Sequence, residues 1–116
     1  MIEAQSRQIV AEASRCSPHE LLAEMEQIWS PKPDMNFEYL MAWLGKGFQV
    51  MRVGLWSRYG PAYGGPAIFF MLRHPDGREV AILVSPGKKV SEFIRQNAEE
   101  WERNGVIFEK VSWQVR

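Results

Sequence analysis

Two continuous apolar runs, Ala67 to Leu72 and Val80 to Val84, stand on either side of His74-Pro75-Asp76-Gly77. This arrangement constrains the fold more than any other feature of the chain. Pro75 presets the backbone of a turn and Gly77 tolerates positive φ, so the segment predicts a β-hairpin. Neither run alternates between apolar and polar residues. Both strands of the hairpin are therefore expected either to be covered on two faces or to sit centrally in the sheet.

The other elements follow from caps and periodicity. Ser17-Pro18-His19-Glu20 is a capping box with proline at the first helical position. The helix it opens carries Leu21, Leu22, Met25, Ile28 and Trp29 on one face, and Pro31 and Pro33 end it. Ahead of it, Ile2, Ile9, Val10 and Ala13 predict a looser helix from about residue 3 to about residue 15. Asn36 is the expected cap of a third helix, with a stripe of Phe37, Leu40, Met41 and Leu44 and a stop at Gly45-Lys46-Gly47. From Phe48 to Trp56 the period falls to two, with Gln49, Met51, Val53 and Leu55 set against Phe48, Val50, Arg52, Gly54 and Trp56, which predicts a strand. Ser91 is the expected cap of a last helix with Phe93, Ile94, Ala98 and Trp101 on its apolar side, closed by Asn104-Gly105. Val106 to Val115 completes a strand whose buried set is Val111, Trp113 and Val115.

This order predicts one α+β domain over residues 1–116: N-terminal helices, then a four-stranded, largely antiparallel sheet, with a C-terminal helix before the last strand. The nearest thing to a linker is Ser30-Pro31-Lys32-Pro33-Asp34, so residues 1–34 are expected to form a helical appendage docked on the sheet domain or on a partner.

With 46% apolar residues, five Trp and six Phe, the chain can fill a single core. No apolar run approaches the roughly 18 residues of a membrane span. Glu3, Gln5, Ser6 and Arg7 do not make the basic-then-apolar order of a secretory signal, so a cytoplasmic location is expected. The single cysteine, Cys16, reads as a packed thiol. Charge is balanced overall but uneven along the chain. Residues 1–34 hold Arg7, Arg15 and Lys32 against Glu3, Glu12, Glu20, Glu24, Glu26 and Asp34. Residues 46–89 hold Lys46, Arg52, Arg58, Arg73, Arg78, Lys88 and Lys89 against Asp76 and Glu79. A positive centre beside an acidic arm favours anionic ligands locally, without the long-range pull of a duplex-binding protein.

The run from Leu55 to Pro66 carries the strongest functional signal. Its glycines and prolines end regular structure, while Trp56, Arg58, Tyr59 and Tyr63 are the residue types enriched where proteins bind. Together with Arg52 on the preceding strand, they suit stacking on a base, insertion into a protein partner, or folding back over the sheet. A second candidate is Ser85-Pro86-Gly87-Lys88-Lys89-Val90-Ser91, where a helix start with Lys88, Lys89 and Ser91 offers an anion site. It lacks the glycine spacing and the Ser or Thr after Gly-Lys of a phosphate-binding Walker loop. His19 and His74 have no apparent catalytic partner, and Cys16 with His19 does not make a metal site. No catalytic residue, metal or cofactor is therefore expected.

Met35-Asn36-Phe37, followed by Leu44, Gly47, Val50, Arg52 and Trp56, resembles the opening of a small phage family that counters the bacterial Thoeris defence. In that family a short helix and a glycine lead into a strand with a V-x-R step and a nearby tryptophan. The resemblance covers residues 35 to 56, and Asp76-Gly77 and Glu100-Trp101-Glu102 are loosely similar to the family's second half. This chain adds residues 1 to 34 in front and a strand after Trp101. The resemblance implies a non-enzymatic oligomer that sequesters a cyclic ADP-ribose-type signal.

The residues themselves favour a small binding protein without catalysis, an inhibitor or adaptor that occupies a macromolecular partner through the aromatic loop and the basic sheet edge. Two other readings stay open. One is capture of a nucleotide or similar anion, with Trp56 or Tyr59 stacking and Arg52, Arg58, Lys88 and Lys89 holding phosphates. The other is binding of single-stranded nucleic acid.

Overall fold

The computed structural model describes residues 9 to 56 and 65 to 115, without the side chains of Ile9, Trp113, Gln114 and Val115. Its elements are β1 (Ile9–Arg15), α1 (Pro18–Met25), α2 (Phe37–Leu44), β2 (Gln49–Trp56), β3 (Ala67–Arg73), β4 (Glu79–Val84), α3 (Lys88–Arg103) and β5 (Ile107–Val115). The five strands form one sheet in the order β1-β5-β2-β3-β4, antiparallel except where β5 lies beside β2. The α+β class is as expected. Among the described residues, no helix is long and apolar enough to cross a membrane.

The hairpin is present. Gly77 N–H donates to the His74 carbonyl at 2.8 Å and Gly77 takes a φ of 97°, so Pro75 and Asp76 occupy the centre of the turn. His74 Nδ1 accepts the Asp76 N–H at 3.1 Å, which gives this histidine a turn role. Asp76 in turn accepts from the Arg78 backbone N–H at 3.0 Å, and chiefly through that bond its carboxyl is held below its ordinary pKa.

The N-terminal arm departs from expectation. Residues 9–15 form an edge strand, paired in register with β5 from Ile9↔Val115 to Arg15↔Glu109, and not a helix. β5 is nine residues long, and its ladder with β2 runs only from Ile107 to Val111. Its other edge needs hydrogen-bond partners, and β-branched Ile9 and Val10 suit that role. The sheet therefore has five strands rather than four. Residues 9–34 are an integral part of the domain, because Leu21, Leu22 and Met25 of α1 lie in the same core as Phe70 and Ile94. The capping box is formed, with the Glu20 N–H donating to Ser17 Oγ at 3.1 Å. The helix ends at Met25, however, and Trp29 is left 46% exposed.

Two further departures arise from contacts far apart in the chain. The alternation expected for β2 is broken by a β-bulge between Val50 and Arg52, so Val50, Val53 and Leu55 face the core while Arg52 lies on the other side. The last helix starts at Lys88, ahead of Ser91, and its cap comes from another part of the chain. Asp34 accepts the Lys89 and Val90 N–H groups on Oδ2 and Oδ1, at 3.1 and 3.0 Å. The segment before it is laid along the end of β4 by three backbone bonds: Ser30 N–H to Pro86, Asp34 N–H to Ser85 and Ser85 N–H to Met35. A φ of 61° at Asp34, tolerable for this residue type, turns its carboxylate onto the helix. Gly87 makes room, since a Cβ there would fall 2.6 Å from the Asp34 carboxylate and 2.7 Å from its backbone nitrogen.

All three helices contribute to one core with Val53, Leu55, Ile68, Phe70, Leu72, Ile82, Val84 and Phe108, which are inward residues of β2, β3, β4 and β5. Because Asp34 supplies two charge-assisted bonds to the helix start, Asp34→Ala is expected to lower stability by about 1–2 kcal/mol. Gly87→Ala should also destabilise by displacing that carboxylate. Chemical denaturation of the two single variants and the double variant checks this, the double being less destabilised than the two effects added together.

Candidate interaction face

The strand residues that alternate with the core set lie on the opposite face of the sheet, and among the described residues no helix lies there. Phe69, Met71, Leu83 and Ile107 are half-buried and stand outside the core cluster shared with the helices. Strand pairing makes them neighbours. Phe69 pairs with Gly54 and Leu83, Met71 with Arg52 and Ala81, and Ile107 with Arg52. Of the two placements expected for β3 and β4, β3 does lie inside the sheet, between β2 and β4, whereas β4 is an edge strand. Among the described residues no helix covers the second face of either.

Charged side chains flank this apolar strip. Arg52 Nη1 lies 3.5 Å from Glu109 Oε1, and Arg15 is the register partner of Glu109 on the other side. Arg73 Nε donates to Glu79 at 2.7 Å across the β3–β4 ladder. Glu109 is only 8% exposed, so its pairing with Arg52 also relieves a largely desolvated carboxylate. The strip borders a shallow depression of about 400 Å³ lined by Phe69, Met71 and Ile107 together with Arg52, Arg73 and Glu79.

Of the residues expected to bind, Arg52 and Trp56 are both on β2 and share the parity of this face. Trp56 is half-buried and in register with Ala67 and Val111. Arg58, Tyr59 and Tyr63 lie outside the described residues. The expected anion group does not converge on this face. Lys88 and Lys89 are exposed, with Lys89 Nζ 3.9 Å from Glu38, while Ser91 is buried and its hydroxyl has no hydrogen-bond partner. The helix-start N–H groups that an anion would use are those that Asp34 already engages.

The positive centre read from the sequence is largely compensated in space. Arg52, Arg73, Arg78 and Lys89 each have a carboxylate within 4 Å, and Lys46 lies 4.8 Å from the centre of the Trp43 ring. Sequence reasoning missed a second exposed apolar surface, on α2. Only Leu40 of that helix is fully buried, and Tyr39 is 54% exposed beside Trp43, with ring centres 6.2 Å apart. The legible signal was a helix apolar on all sides, which one core face cannot absorb.

Among the described residues, no group of three or more His, Cys, Asp or Glu is placed to hold a metal ion. Burial pushes the Cys16 thiol above its ordinary value near 9.0, with nearby Lys110 partly opposing that shift. Less thiolate is then present at neutral pH, so alkylation of Cys16 by iodoacetamide should be slower than that of free cysteine and should accelerate as pH rises through the shifted pKa. A neutral-pH rate equal to that of free cysteine would contradict this. Comparison of the chain with protein-family models, curated proteins and solved structures found no match.

Proposed function

We propose that the chain is a small non-enzymatic binding protein, an inhibitor or adaptor that occupies a protein partner stoichiometrically through the helix-free face of its sheet. The setting is the anti-defence one implied by the resemblance of residues 35 to 56. One observation carries this reading: β3 and β4 have the continuous apolar sequence of strands covered on both sides, yet the described residues place helices on one side only. Phe69, Met71, Leu83 and Ile107 then form an apolar centre, with Arg52–Glu109 and Arg73–Glu79 pairs around it. An apolar core with a polar rim is the composition of a protein interface. Trp56 extends this surface along β2, and the sequence that follows it holds Arg58, Tyr59 and Tyr63, residue types that dominate binding energy at protein interfaces.

The charge arrangement favours a protein over a nucleotide or single-stranded nucleic acid. Arg52 and Lys89, two of the cations assigned to phosphate, have carboxylates beside them, so an incoming phosphate would compete with an existing ion pair and meet its negative partner. A protein surface can instead add hydrogen bonds to such pairs at the rim.

The test is recovery of a partner from native lysate by the full chain and by Phe69→Glu and Met71→Glu variants, with circular dichroism to establish that each is folded. The wild type should retain one protein at near-equal stoichiometry, and either folded variant should retain at least tenfold less, equivalent to about 1.4 kcal/mol. Equal recovery by the folded variants, or no stoichiometric protein with the wild type, would contradict the reading.

A further inference from the structure

We infer that the groove between the end of α2, the start of β2 and the C-terminal half of α3 binds an uncharged nitrogen heteroaromatic molecule, a nucleobase or a nucleoside without phosphate. The groove has a volume of about 530 Å³, within the usual range for small-molecule sites. It opens between the helices and the start of β2, and of its lining only Met51 also borders the depression on the face assigned above to a protein partner.

Its walls are rings held by the core. Phe93, Asn97 and Trp101 follow one another at four-residue spacing, so they line one side of α3. Phe93 and Trp101 lie edge to face with centres 5.3 Å apart, and they are backed by Phe70 at 6.4 Å and Phe108 at 6.3 Å. Phe48, on the α2 side, is fixed against Trp43 at 5.0 Å and His74 at 5.1 Å. Phe48 is only 4% exposed and closes the groove, while the half-buried Phe93 and Trp101 offer stacking area without an ordering cost on binding.

The polar lining narrows the ligand further. Asn97 Nδ2 donates to the Phe93 carbonyl at 2.8 Å, which sets the amide and leaves Oδ1 as its acceptor for a ligand N–H. The β2 bulge lies at the groove, and the β5 ladder reaches β2 only as far as Arg52, so among the described residues Gln49 to Met51 have no strand on that side. Their backbone can supply donors and acceptors to the edge of a planar ring. Among the described residues Glu100 is the one ionisable residue of the lining; Arg78, 5.4 Å from the centre of the Phe48 ring, is outside it and paired with Asp76. A phosphate would therefore face a carboxylate with no cation in the described lining, whereas a neutral base keeps both stacking and edge hydrogen bonds.

The experiment is thermal unfolding and titration calorimetry of the full chain with adenosine, guanosine, cytidine, uridine and their monophosphates, each at millimolar concentration. At least one nucleoside should raise Tm and bind saturably, with its monophosphate at least tenfold weaker. Asn97→Leu should weaken that nucleoside at least tenfold while the unliganded Tm is kept, and Glu100→Lys should remove the penalty on the monophosphate. The inference is overturned if no nucleoside binds, if the monophosphate binds the wild type as tightly as the nucleoside, or if affinity in folded Asn97→Leu is unchanged.

Discussion

A five-stranded sheet has two faces to remove from water, and the described helices cover only one. Five strands spaced about 4.8 Å apart put the outer two roughly 19 Å from each other, and the sixteen-residue α3 is about 24 Å long at 1.5 Å per residue. It carries the chain from edge strand β4 past β3 and β2 to set β5 parallel to β2. With α1 and α2, each eight residues long, it closes the core on that side. Among the described residues, no helix covers the apolar residues on the other face.

The Asp34 carboxylate ties this arrangement together. It holds the start of α3 while the segment before it runs along the end of β4, so the N-terminal region and the crossover helix are fixed to each other. The same contact changes the chemistry expected of the helix start, because the favourable place for an anion already holds the chain's own carboxylate. The start of α3 beside Lys88 and Lys89 is thereby a poor place for a phosphate.

Elements specified by neighbouring residues were legible in the sequence. The Ser17–Glu20 capping box, the His74–Gly77 turn and the Asn104–Gly105 helix stop each satisfy their backbone groups within a few residues. What was not legible depended on distant partners. Residues 9–15 are a strand because β5 has an open edge, α3 begins early because Asp34 reaches it from more than fifty residues away, and the bulge between Val50 and Arg52 brings Val50 to the core face that Val53 and Leu55 share. Of the candidate binding residues, the sequence brought Arg52 and Trp56 to one face through strand periodicity alone. It did not reveal the ion pair of Arg52 with Glu109, since those residues meet only through the parallel pairing of β2 with β5.

The central claim is that the helix-free face meets a protein, and site-specific photocross-linking in cells tests it most directly. A photoreactive phenylalanine analogue would replace Phe69 on that face in one variant and exposed Gln96 on α3 in another. The account predicts a discrete covalent adduct with another protein from position 69 and none from position 96. An adduct from position 96 alone, or none from position 69 in a folded variant, would contradict it.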